Sequence, residues 1–177
     1  IPAALIMAGF RMSLLAEVRN EFTIRAIMRK VNGLLHESTD SGKFVTAFYG
    51  VLDHKNRALI FSNAGHNPPV LFRREGPIEY LEEGGLALGV LADAEYDDRP
   101  IALRPGDVLL FYTDGISEAE SPTGEHFGQQ RIERLVETLL DQSAASIMAA
   151  LIARVQEWFG TRGQSDDLTL VVLKVNE

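Results

Sequence analysis

The sequence predicts an α+β domain in which helices cover sheets, and three observations carry that expectation. Apolar residues recur at helical spacing over residues 2–37 and again over 127–159. Between these stretches lie short apolar runs broken by Gly, Pro, Asn and Asp, the pattern of strands and turns. A last apolar run, Leu168 to Val175, closes the chain. Helices, strands, helices and a strand in that order layer helices on sheets.

Pro2 suits the first turn of a helix, where its missing N–H costs nothing. Leu5, Ala8, Met12, Leu15 and Ala16 continue that helix. Residues 1–10 carry no charge, which predicts a buried helix; the stretch is too short to span a bilayer, and no basic segment precedes it. A second helix is predicted from Phe22 to Glu37, with Ile24, Ile27, Met28, Val31, Leu34 and Leu35 on one stripe. Ser38 to Lys43 is turn chemistry. Phe44 to Leu52 reads as a strand covered on both faces, His54 to Arg57 as a hairpin turn, and Ala58 to Ser62 as the returning strand.

Val70–Arg73 and Ile78–Leu81 form a second predicted hairpin around Glu75-Gly76-Pro77. Tyr96 to Leu103 is expected to be an exposed, charged strand, and the acidic run Asp93 to Asp98 a solvated edge. Arg104-Pro105-Gly106-Asp107 turns the chain into a strand over Val108 to Tyr112. Helices over Phe127–Leu140 and from Ser143 to about Phe159 follow, with Ser143 as the cap of the second.

Bulk properties narrow the class. The chain of 177 residues is enough for one substantial core and too short for two comfortable ones, so residues 1–177 are expected to form one domain. A net charge of −8 argues against nucleic acid as a partner, since phosphate neutralisation needs clustered Lys and Arg. No cysteine is present, which excludes disulfides and thiolate metal sites and permits a reducing compartment.

Asp166-Asp167, just before the last apolar run, gains meaning from a second acidic turn, Thr113-Asp114-Gly115, which ends the Val108–Tyr112 run. Each carboxylate then stands at the end of a core strand. Two such ends converging would make an acidic pocket, in which like charges repel by roughly 4 kcal/mol at 4 Å and an effective dielectric near 20. Such a pocket persists by protonation or by sharing cations. Oxygen ligands alone favour Mg²⁺ or Mn²⁺. Gly115, without a Cβ, allows close backbone approach to an ion or phosphate.

Ser62-Asn63-Ala64-Gly65-His66-Asn67-Pro68-Pro69 is the second unusual stretch. Three roles stay open for Asn63 and His66: binding phosphate, orienting water, or bracing a turn. His36, His54 and His126 have no metal-ligand spacing and read as surface residues. Neither a phosphate-cradling Gly-rich loop nor a Gly-x-Ser-x-Gly elbow occurs.

Taken in order, Pro2-Ala3-Ala4-Leu5, Phe44-Val45-Thr46, Ser62-Asn63-Ala64-Gly65-His66, Leu88-Gly89-Val90, Pro105-Gly106-Asp107, Tyr112-Thr113-Asp114-Gly115 with Glu118-Ala119, and Asp166-Asp167-x-Thr169 span the whole chain. Together they resemble the SpoIIE-like branch of the bacterial metal-dependent (PPM, type 2C) serine/threonine protein phosphatases. The resemblance implies an α-β-β-α sandwich of two mainly antiparallel sheets flanked by helices. It implies hydrolysis of phosphoserine or phosphothreonine on a regulatory protein by water activated between two Mn²⁺ or Mg²⁺ ions, with no phospho-enzyme. Asp114 and Asp166 would match the family's metal-ligand aspartates, with Gly115, Asp167, Asn63 and His66 near the site.

The family pattern places a strand and an Asp-bearing Gly-rich loop before the Pro-Ala-Ala-Leu helix, so the domain is expected to be N-terminally incomplete, lacking its first strands and first metal loop. The resemblance further implies a cytoplasmic signalling protein in stress or sigma-factor control, a phosphorylated partner such as an anti-sigma-factor antagonist, and an upstream sensory or receiver domain. The uncharged stretch Ile1–Phe10 predicts that the first two helices pack against a further segment or a second copy, as in a homodimer. Two alternatives stand beside the enzyme: a non-catalytic signalling or docking relative (or inactive fragment), and a structural domain whose acidic turns bind Ca²⁺.

Overall fold

The computed structural model describes residues 2–21, 23–39, 42–164 and 166–176. In chain order its elements are α1 (Pro2–Asn20), α2 (Ile24–Ser38), β1 (Ala47–Asp53), β2 (Ala58–Ala64), β3 (Val70–Phe72), β4 (Glu79–Tyr80), β5 (Gly84–Gly85), β6 (Arg99–Ala102), β7 (Val108–Tyr112), α3 (Asp114–Ser117), α4 (Gln129–Glu137), α5 (Ala144–Phe159) and β8 (Leu170–Lys174). This is the expected mixture of helices and two mainly antiparallel sheets. The chain divides into two compact units, Ile1–Pro68 with Leu81–Ala102 and Pro69–Tyr80 with Leu103–Glu177.

In the first unit α1 and α2 accompany a sheet in which β2 pairs with β1 and β6 antiparallel and with β5 parallel. The Thr23 hydroxyl accepts the Ala26 N–H and caps α2. Ile24, Ile27, Met28, Val31 and Leu35 form its buried stripe, whereas Leu34 lies at the edge of that stripe and is exposed. Phe22, where the second helix was expected to start, lies outside the described residues, as do Asp40 and Ser41 of the following turn.

The expectation of a buried first helix is overturned. Ile6, Phe10 and Leu14, spaced by four, pack on the first unit's core, while Leu5 is 69% and Met12 65% exposed. The helix is apolar on two opposite faces, and only one is covered. The strand over residues 44–52 is likewise shifted and half covered. β1 begins at Ala47, and Val51 and Leu52 on its outer stretch are exposed. Asp53 closes the β1–β2 hairpin by accepting the backbone N–H groups of Lys55 and Asn56.

The acidic run is solvated as expected at Asp93, Glu95 and Asp97, but residues 93–98 form no strand, and Ala94 and Tyr96 between them are core residues. The hidden cause is Asn32 on α2, fully buried. Its Nδ2 donates to the Leu91 and Ala92 carbonyls at 2.8 and 3.0 Å. Its Oδ1 accepts the Gly89 N–H at 2.8 Å and the Tyr96 hydroxyl at 3.1 Å. One amide thus fastens an irregular segment whose own backbone has no strand partner there.

The second unit carries the sheet β4-β3-β7-β8, antiparallel throughout. Val108, Leu109 and Leu110 of β7 are fully buried, each worth roughly 1.5–3 kcal/mol of apolar burial. α4 contributes Ile132 and Val136, and α5 contributes Ile147, Leu151, Val155 and Phe159, to a core shared with β3 and β7. Ser143 caps α5 as expected, accepting the Ser146 N–H at 3.1 Å. The turn before β7 is anchored by buried Asp107, whose carboxylate accepts from Arg73 and from the Arg104 N–H. Among the described residues no helix is long and apolar enough to cross a membrane.

Candidate active site

β7 and β8 are antiparallel neighbours with Tyr112 opposite Leu170. The exit of β7 and the entrance of β8 therefore lie at one end of the sheet, and Asp114 and Asp166-Asp167 flank them. Pairing continues past the strands: the Thr113 N–H donates to the Thr169 carbonyl at 3.1 Å. In return the Thr169 N–H donates to Thr113 Oγ1 at 3.2 Å. The sequence motifs contain both threonines, but only the register shows that they tie the two turns together.

Gly115 completes the junction. A Cβ on this residue would lie 2.3 Å from the Asp167 carbonyl oxygen, well inside any allowed contact. The reading that Gly115 permits a close backbone approach is met here by the chain's own backbone. Asp114 is the first residue of α3, and its Oδ1 accepts the Gly115 N–H at 2.9 Å. Asp166 repeats the device, its Oδ1 accepting the Asp167 N–H at 2.7 Å. Each carboxylate is thus oriented by its own turn while remaining exposed, as is Asp167.

Among the described residues, no Lys, Arg or His forms an ion pair with Asp114, Asp166 or Asp167, although such pairs occur elsewhere, as between Arg73 and Asp107. The carboxylates of Asp114, Asp166 and Asp167 are oxygen donors, the chemistry of a hard cation. The side chains brought together are nonetheless few. Among the described residues, no group of three or more His, Cys, Asp or Glu is gathered closely enough to hold a metal ion. The donor type alone fits a hard cation such as Mn²⁺ or Mg²⁺.

Asn63 and His66 belong to the first unit. Asn63 is buried, and its amide is spent on the backbone. Nδ2 donates to the carbonyls of His66 and Leu81 at 3.0 and 3.1 Å, and Oδ1 accepts the His66 N–H at 2.8 Å. Of the roles left open by sequence, this geometry performs the turn brace. His66 Nδ1 lies 3.2 Å from Thr46 Oγ1. Gly84 approaches Asn63 so closely that a Cβ there would meet the Asn63 carbonyl oxygen at 2.0 Å. The Gly84-Gly85 pair is the sequence signal of this contact.

The fold is that of the PP2C phosphatases. The chain superposes on the SiaA-PP2C domain of Pseudomonas aeruginosa with a TM-score of 0.83 at 21% identity, covering 99% of this chain and 71% of that one. Against the PP2C phosphatase domain of SpoIIE from Bacillus subtilis the TM-score is 0.77 at 18% identity, covering 97% of this chain and 50% of that one. The chain belongs to the Stage II sporulation protein E (SpoIIE) family, whose profile it matches over residues 1–176. It is 36% identical over 143 residues to Protein IcfG of Synechocystis, covering 79% of this chain and 22% of that protein. It is 24% identical over 178 residues to the phosphoserine phosphatase RsbU of Bacillus subtilis, covering 98% of this chain and 52% of that protein. The chain thus spans about half or less of the length of these relatives, in a family of bacterial signalling serine phosphatases.

Proposed function

We propose that residues 1–177 are the greater part of one phosphatase domain, which hydrolyses phosphoserine or phosphothreonine on a regulatory protein. The carrying observation is the Gly115–Asp167 contact, which joins two carboxylate-bearing turns at one end of a rigid sheet. In this reading Asp114 and Asp166 hold Mn²⁺ or Mg²⁺, with Asp167 beside them. When bound, such ions lower the pKa of a water and offset charge on the phosphoryl oxygens. The chain's own part is positional. β7 and β8 keep both carboxylates still, the Thr113–Thr169 pair fixes the strand ends, and the backbone N–H groups of Gly115 and Asp167 orient one oxygen of each carboxylate.

The relatives support the wider reading. RsbU is a phosphoserine phosphatase, and one SpoIIE phosphatase-domain structure was presoaked with Mn. A cytoplasmic signalling role in stress or sigma-factor control, a phosphorylated protein substrate such as an anti-sigma-factor antagonist, and an upstream sensory or receiver domain complete the proposal. So does a homodimer formed through the uncovered face of α1.

The experiment is hydrolysis of a small phosphate ester in Mn²⁺ by the longer natural protein, alongside Asp114→Asn and Asp166→Asn, with Mn²⁺ binding followed by its paramagnetic resonance signal. Each variant is expected to lose at least about 100-fold in turnover, because a metal supplies several kcal/mol of charge stabilisation. Each is also expected to weaken Mn²⁺ binding. Full activity in either variant removes that residue from the proposed metal site.

A further inference from the structure

The groove between α4 and α5 carries a feature unconnected with the acidic turns. A cavity of about 320 Å³ there is lined by Phe127, Arg131, Arg134, Leu135, Thr138, Arg154 and Trp158. In a chain of net charge −8, this lining holds three guanidinium groups and no carboxylate. We propose that the groove is a docking site for an acidic segment of a partner protein that inserts an apolar or aromatic side chain.

The floor is apolar and rigid. Phe127 meets Trp158 edge to face at 5.8 Å between ring centroids, a preferred aromatic arrangement. The Arg131 guanidinium lies 4.2 Å above the Trp158 ring and donates to the His126 and Phe127 carbonyls and to Glu125. The indole N–H donates to the Glu125 carbonyl at 3.0 Å. Arg131 and Trp158 are therefore held in place before any ligand arrives, which lowers the ordering cost of binding.

The rim supplies the charge. Arg134, one turn along α4 from Arg131, is exposed and has no ion-pair partner among the described residues. Arg154 on α5 is 64% exposed and pairs only at the surface with Glu157, an interaction readily exchanged for a better one. Exposed guanidiniums around an aromatic floor match a carboxylate-rich segment with a hydrophobic anchor, the arrangement in which Arg and Trp dominate binding energy. Three arginines on a chain of net charge −8 are too few to neutralise a nucleic-acid backbone, which favours a protein segment.

Trp158 is the single tryptophan of this chain, so its fluorescence reports directly on the groove. The test titrates the chain with a synthetic peptide alternating Asp with Leu and Phe, with the same peptide carrying Lys for Asp, with inorganic phosphate, and with a short single-stranded oligonucleotide. A saturable Trp158 change with the acidic peptide alone, weakening as salt rises and at least tenfold weaker in an Arg134→Glu/Arg154→Glu variant, is the expected result. An Arg134→Gln/Arg154→Gln variant with wild-type circular dichroism guards against loss of folding and should weaken the same binding. No response to millimolar acidic peptide, equal response to the Lys peptide, or unchanged affinity in both double variants would overturn the proposal. Displacement of the peptide by equimolar phosphate, or tighter binding of the oligonucleotide, would overturn it in favour of a simple anion site or a nucleic-acid site.

Discussion

The α-carbon of Gly115 sits so near Asp167 that a methyl group on it would come within 2.3 Å of the Asp167 carbonyl oxygen. Glycine at 115 is a condition for the exit of β7 and the entrance of β8 to lie side by side. Gly115→Ala is therefore expected to destabilise the fold by about 1–3 kcal/mol, as overpacking does, and to lower Mn²⁺-dependent turnover together with Mn²⁺ affinity. Gly9→Ala is the control: a Cβ there meets nothing within 4 Å, and the exchange in a helix should be stabilising by about 0.5–1 kcal/mol. Thermal unfolding and metal titration of the two variants make the comparison.

Asn32 predicts a second cost. Asn32→Leu strips partners from the Gly89 N–H, the Leu91 and Ala92 carbonyls and the Tyr96 hydroxyl. Unsatisfied buried polar groups cost about 1–3 kcal/mol each, and partial relaxation leaves an expected loss on the order of 3 kcal/mol. Urea unfolding of the variant measures it, and a loss below about 1 kcal/mol would show that segment 89–96 is held by packing alone.

Alkaline pH should unfold the protein in a defined window. Burial pushes the Tyr96 and Tyr112 hydroxyls up to about 12 from the usual 10.0. A folded-state pKa above the unfolded one means that the unfolded chain loses its protons first. The contribution is complete below pH 10, declines as pH rises from 10 toward 12, and is gone above that. Tyrosinate absorbance and circular dichroism followed together should show ionisation of these residues coinciding with unfolding, and Tyr112→Phe should make the decline shallower.

The two faces of α1 should respond oppositely to charge. Leu5→Glu and Met12→Glu replace exposed residues and are expected to stay within about 0.5 kcal/mol of wild type. Phe10→Glu places a charge against the core of the first unit and should cost several times more. Analytical ultracentrifugation of the same variants tests the homodimer: a dimer formed through this face is lost in Leu5→Glu/Met12→Glu, and an unchanged mass would refute that arrangement.

Sequence by itself determined what local chemistry can encode. Helix and strand periods, the Ser143 cap, the hairpin turns at 54–57 and around Gly76, and the placement of Asp114 and Asp166 beside apolar strands all follow from residues within a few positions of one another. Tertiary structure decided what depends on partners far along the chain. Apolarity alone could not say which face of α1 would be covered, because Leu5-Ala8-Met12-Leu15 and Ile6-Phe10-Leu14 are both acceptable stripes and only the neighbours choose between them. The acidic residues of the run at 93–98 are solvated as their chemistry suggests, but that Tyr96 among them turns inward depends on Asn32, far upstream, which accepts its hydroxyl. The meeting of Gly115 with Asp167 required the β7–β8 register, since strand pairing is a long-range choice and a one-residue slip would turn every side chain to the other face.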